Sequence, residues 1–85
     1  MIDGTLRIGL RFDRRDRFKL RELAGQVERR EIPGERSVFD QAAEAAEQGV
    51  PLEVICTHPD EASQMAALYC RLGCRMPAVE ELWDA

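Results

Sequence analysis

The segment Leu52-Glu53-Val54-Ile55-Cys56, followed at once by Thr57-His58-Pro59-Asp60, constrains this chain more than any other. A near-continuous apolar, β-branched run reads as a strand, and its composition predicts a central position, buried on both faces or nearly so. Proline suits the first turn of a helix, where its missing N–H costs no hydrogen bond, and Asp60 and Glu61 complement the positive end of the helix dipole. A strand therefore passes straight into a helix at His58-Pro59. Ala62, Met65, Ala66, Tyr69 and Leu72 continue as a stripe at helical spacing, and Gly73 stops it. With 85 residues in all, such a unit leaves room for one domain and one small core.

Residues 5–12 alternate, with Leu6, Ile8, Leu10 and Phe12 on one side and Arg7, Gly9 and Arg11 on the other. That is the period of a strand with one buried face. Residues 14–24 admit two readings. Leu20, Leu23, Ala24 and Val27 form a helical stripe that Asp13 could cap and Gly25 end, but Phe18 and Leu20 also alternate, and Asp13-Arg14-Arg15-Asp16 could be a hairpin turn. The helix is preferred, because the hairpin would set Arg11 against Lys19. Val27 to Ile32 reads as a charged edge strand stopped by Pro33-Gly34. Ser37-Val38-Phe39-Asp40 resembles a capping box opening an alanine-rich helix that ends at Gly49. Cys74 to Val79 is a last short strand, an edge because of Pro77, and Leu82-Trp83 is a lid over the core. The expected fold is a single α/β domain over residues 1–85. It is a two-layer sandwich, a mixed sheet of about four strands with two or three helices on one face.

Charge is divided unevenly. Residues 1–36 hold ten basic and seven acidic groups, net +3, and residues 37–85 hold two and nine, net -7, which together give -4. An apolar content of 45% places the chain among globular proteins. No apolar run approaches the roughly eighteen residues of a membrane span, and Met1-Ile2-Asp3-Gly4 does not read as a signal peptide. Three cysteines at scattered positions argue against a disulfide scaffold and for a reducing compartment, so a cytoplasmic location is expected. So small a core makes a homodimer the expected state.

Cys56, His58, Cys70 and Cys74 are the soft ligands, but they do not read as a metal site. Cys70 lies nearly three helical turns beyond His58, roughly 15–18 Å away at about 1.5 Å per residue, whereas zinc needs every ligand within about 2.3 Å of one point. No metal or other cofactor is expected. Cys56 and Cys70 are the candidate reactive thiols, Cys56 because a strand end beside a helix N-terminus lowers a thiol's pKa. Against this, Cys56 is in phase with Leu52 and Val54 and reads first as a small buried hydrophobe. Cys70 and Cys74 flank Gly73 and read as packing positions before a redox pair. His58 reads as a cap or a solvent-facing residue, and nothing completes a catalytic triad. The remaining candidate is the basic stretch Arg7, Arg11, Arg14, Arg15 and Arg17, a surface for an acidic protein partner. Nucleic acid is disfavoured by the acidic total and the few aromatics.

Gly49-Val50-Pro51-Leu52-Glu53-Val54, Thr57-His58-Pro59 and Cys70-Arg71-Leu72-Gly73 together resemble the second half of the TusA/SirA-like sulfur-carrier family, over residues 27–79. The resemblance implies a helix ending on glycine, an L-x-V strand, a turn with proline, and a second helix closing on glycine. The family's chemistry resides in a Cys-Pro motif that carries a persulfide. Here Ile32-Pro33-Gly34-Glu35 stands in its place, so that role passes to no residue. The preferred functional reading is a non-catalytic interaction protein, self-associating, with a basic N-terminal face. Reversing Arg7, Arg11 and Arg17 to Glu is then expected to leave the fold intact and abolish partner capture. The alternative is a sulfur relay through Cys56 or Cys70, and a third reading is nucleic-acid binding.

Overall fold

A computed structural model describes residues 6–82 of the chain. Strand β1 spans Leu6–Arg11, a 3-10 turn spans Arg14–Asp16, and helices α1 and α2 span Arg17–Glu28 and Arg36–Gln48. Strand β2 (Leu52–Cys56), helix α3 (Pro59–Arg71) and strand β3 (Ala78–Glu81) follow. The protein is thus α/β, with three helices and a three-stranded sheet of order β2-β1-β3. Both pairings are antiparallel, with Ile8 opposite Val54 on one side and Glu81 on the other.

Three expectations about the sheet are corrected. Among the described residues it has three strands and not four, and it is antiparallel throughout and not mixed. The expected strand Val27–Ile32 does not form. The stripe Leu20, Leu23, Ala24 carries on to Val27, which packs against the core, so α1 runs past Gly25 to Glu28 and residues 29–34 are turns. Third, the central strand is β1, and β2 is an edge. Leu52, Val54 and Cys56 face the core, but Ile55 points the other way and is 73% exposed. The last strand also begins one residue after Pro77, later than expected, and α2 begins before the expected capping box, with Glu35 as its N-cap. Trp83 of the expected lid lies outside the described residues; Leu82 is half-buried and lies against Gly9 of β1.

The main core joins Leu10 of β1 and Phe12 just after it to Leu20, Leu23 and Ala24 of α1, the alanines and Phe39 of α2, and Ala66 and Tyr69 of α3. Tyr69 is its hub, with its ring edge-on to Phe12 at 4.9 Å and to Phe39 at 5.8 Å, arrangements aromatic quadrupoles favour. A smaller cluster of Ile8, Cys56 and Ala62 closes the other end. All three helices end in one hydrogen-bond pattern, two overlapping backbone bonds across a left-handed residue. In α2 that residue is Gly49 (φ 72), with Val50 N–H donating to Ala45 at 3.1 Å, and in α3 it is Gly73 (φ 102), with Cys74 N–H donating to Tyr69 at 3.1 Å. In α1 it is Arg30 (φ 61), with Glu31 N–H donating to Gln26 at 2.8 Å.

Candidate interaction surface

Strand parity splits the predicted basic stretch in two. Arg7 and Arg11 lie on the face of β1 turned away from the core, where each meets a glutamate from a neighbouring strand. Arg7 pairs with Glu53 at 2.6 Å and Arg11 with Glu80 at 2.8 Å, and Arg11 also donates to the Gly49 carbonyl at 2.5 Å. The Arg11 guanidinium holds the Glu80 carboxyl below the usual carboxylate range. These two arginines therefore hold the sheet's open face together, and reversing them to Glu would set like charges against Glu53 and Glu80.

Arg14, Arg15 and Arg17 occupy the 3-10 turn and the first residue of α1. Asp13 organises this turn. Its Oδ1 accepts the Arg15 N–H at 2.8 Å and its Oδ2 accepts from Arg75 at 3.3 Å, which lower its pKa in that order of importance. The neighbouring Asp16 is buried and accepts the Arg75 N–H at 3.0 Å, which locks the turn to the segment after α3. Elsewhere most cations are consumed within the chain. Arg21 pairs with Asp40 and Glu47, Arg36 with Glu28 and Asp40, Arg29 with Glu31, Arg75 with Asp13 and Lys19 with Glu22. Arg14, Arg15 and Arg17 make no ion pair among the described residues; Arg17 donates to the Arg14 carbonyl at 2.9 Å.

Beside Arg17 stands Phe18, 69% exposed, with the Arg17 guanidinium 4.3 Å from its ring centroid. This residue was not singled out from the sequence. The available signal was its place off the stripe Leu20, Leu23, Ala24, Val27, which turns it outward once the segment is helical.

The thiols divide by burial. Cys56 is buried, and its pKa is raised by burial and then by the Glu61 carboxylate, the reverse of an activated thiol. Cys74 is buried and pushed up to about 11, first by burial and then by Asp16. Cys70 is exposed on α3. The α3 start is built as a cap: His58 Nδ1 accepts the Asp60 N–H at 3.2 Å, and the Glu61 carboxylate accepts the Thr57 N–H at 3.1 Å and its hydroxyl at 2.7 Å. Among the described residues no three His, Cys, Asp or Glu side chains come together as metal ligands, and no helix is long and apolar enough to cross a membrane. No protein-family model, curated protein or solved structure matches the chain.

Proposed function

We propose that this protein is a small non-catalytic cytoplasmic interaction module, with its helices as one layer over the sheet, that self-associates and docks an acidic protein segment. The docking surface is Arg14, Arg15, Arg17 and Phe18. The exposed Phe18 ring beneath the Arg17 guanidinium carries the reading. A guanidinium stacked on an aromatic face keeps its edge donors free for carboxylates, and the ring offers apolar contact beside them. Arg7 and Arg11 support the sheet beneath and do not belong to the contact.

The test is an anisotropy titration with a labelled Glu- and Asp-rich peptide carrying one leucine. Combined reversal of Arg14, Arg15 and Arg17 to Glu should weaken binding by at least about tenfold, and Phe18→Ala by about fivefold. Acids at a helix start do not oppose its dipole, so the fold should survive the reversal. Equal affinity in all three proteins rules the surface out. Tighter binding of single-stranded RNA, falling steeply with salt, would instead support nucleic-acid binding.

The exposure of Cys70 favours a second reading, a sulfur relay of the TusA/SirA kind. Incubation with a persulfide donor should then add the mass of one sulfur atom to Cys70. No gain there removes the relay.

A further inference from the structure

We infer that the free edge of β2 is where two copies of this chain meet, their sheets joining antiparallel into one of six strands. The inference rests on the self-association proposed above and gives it a surface. The backbone directions decide which groups that edge offers. Leu82 N–H donates to the Arg7 carbonyl at 2.8 Å, so the backbone groups of Arg7, Gly9 and Arg11 face β3 and those of Leu6, Ile8 and Leu10 face β2. Leu52, Val54 and Cys56 answer the latter. Glu53 and Ile55 therefore turn their N–H and C=O groups to the side where no strand lies among the described residues. The edge is bounded at both ends. Pro51 has no N–H, and the Thr57 N–H is engaged by the Glu61 carboxylate.

Three two-fold registers are open to so short an edge, and each would make four backbone hydrogen bonds. Setting Glu53 opposite Glu53 of the second copy opposes like charges and leaves the Ile55 carbonyl facing Pro51, which has no donor. Setting Ile55 opposite itself leaves the Glu53 carbonyl facing the engaged Thr57 N–H. Setting Glu53 opposite Ile55 pairs all four donors with all four carbonyls of these residues and leaves unanswered only the carbonyls of Pro51 and Thr57, at the ends where water reaches them. In this register the two-fold axis passes between the Val54 residues. The exposed Ile55 then lies between Arg7 of its own chain and Glu53 of the other. A register that answers every N–H and carbonyl of Glu53 and Ile55 without setting Glu53 against itself, in a ladder that is its own complement under a two-fold, points to a second copy and not a foreign strand.

Sedimentation equilibrium of the full chain should give twice the 9.7 kDa chain mass. Ile55→Pro should reduce it to the single-chain mass with an unchanged circular dichroism spectrum, since the N–H it removes faces outward and proline is tolerated at a sheet edge. Register is read by crosslinking in a Cys70→Ser background. Val54→Cys faces itself as a non-hydrogen-bonded pair about 4.5 Å apart and should give a covalent dimer on mild oxidation, whereas Glu53→Cys should give none. A wild-type chain that stays monomeric at all concentrations overturns both the edge and self-association. A dimer that survives Ile55→Pro, or a Val54→Cys chain that fails to crosslink, overturns the edge alone. Should Ile55→Pro unfold, the crosslink decides.

Discussion

At Gly9 two side chains close over the central strand. A Cβ there would lie 2.7 Å from Pro51 Cβ and 3.2 Å from Leu82 Cδ2, and the proline ring is too stiff to yield. Gly9→Ala should therefore cost about 1–3 kcal/mol through overpacking, read as a lower urea midpoint at unchanged slope. An unmoved midpoint would show that β2 and β3 can part freely, contrary to the pairing described. The thiols test burial at the same scale. Iodoacetamide near neutral pH should label Cys70 in the native protein, and Cys56 and Cys74 only after unfolding. Native labelling of Cys56 at the rate of Cys70 would mean that the Ile8–Cys56–Ala62 cluster is open.

The helix endings make the element-scale prediction. α2 and α3 end on glycines, but α1 ends on Arg30 in the left-handed region, which costs a side-chain-bearing residue about 1 kcal/mol. Arg30 is exposed and makes no ion pair among the described residues, so Arg30→Gly should stabilise the protein by up to about 1 kcal/mol. A fall in melting temperature would contradict this. The same endings show what could be read from sequence. Gly49, Gly73, Pro59 and His58 act through their immediate neighbours, and each does what its local chemistry suggests. Residues 14–24 are helical and not a hairpin, as the like-charge pair Arg11 and Lys19 argues, but as a 3-10 turn capped by Asp13 followed by an α1 that runs past Gly25. Val27–Ile32 was misread because α1 ends on an arginine, with no glycine or proline to mark the place. The rank of β2 in the sheet was misread because an apolar run does not reveal which strand pairs on both sides; that depends on β1 meeting partners far along the chain. For the surface, Arg14, Arg15 and Arg17 were legible as a charge run. Separating them from Arg7 and Arg11 required the cross-strand glutamates, and Phe18 required knowing which way the helix turns.

Across the whole molecule, the basic first part and the acidic second part satisfy one another largely within one chain, through Arg7–Glu53, Arg11–Glu80 and the contacts of Arg21 with α2. Stability should therefore depend on pH in two physically distinct ways. Asp13, Glu61 and Glu80 have pKa values lowered from 3.8, 4.5 and 4.5 by hydrogen bonds. Below those ordinary values the unfolded chain binds protons that the folded one refuses, so their stabilisation is complete above about pH 4.5 and is lost as pH falls. Cys56, Cys74 and Tyr69 behave oppositely, with values raised from 9.0, 9.0 and 10.0, chiefly by burial. Above pH 9.0 the unfolded chain releases protons that the folded one keeps, so stability should fall as pH rises toward the value of about 11 held by Cys74. Urea midpoints across this range should form a plateau with two falling limbs. Glu80→Gln should flatten the acid limb and Cys74→Ala the alkaline one. Concentrated salt should shrink the acid limb, where exposed ion pairs contribute, and spare the alkaline limb, which arises from desolvation. An alkaline limb of equal slope in Cys74→Ala would mean that this thiol is not buried in the folded protein, and with it that the segment after α3 packs only loosely against the 3-10 turn.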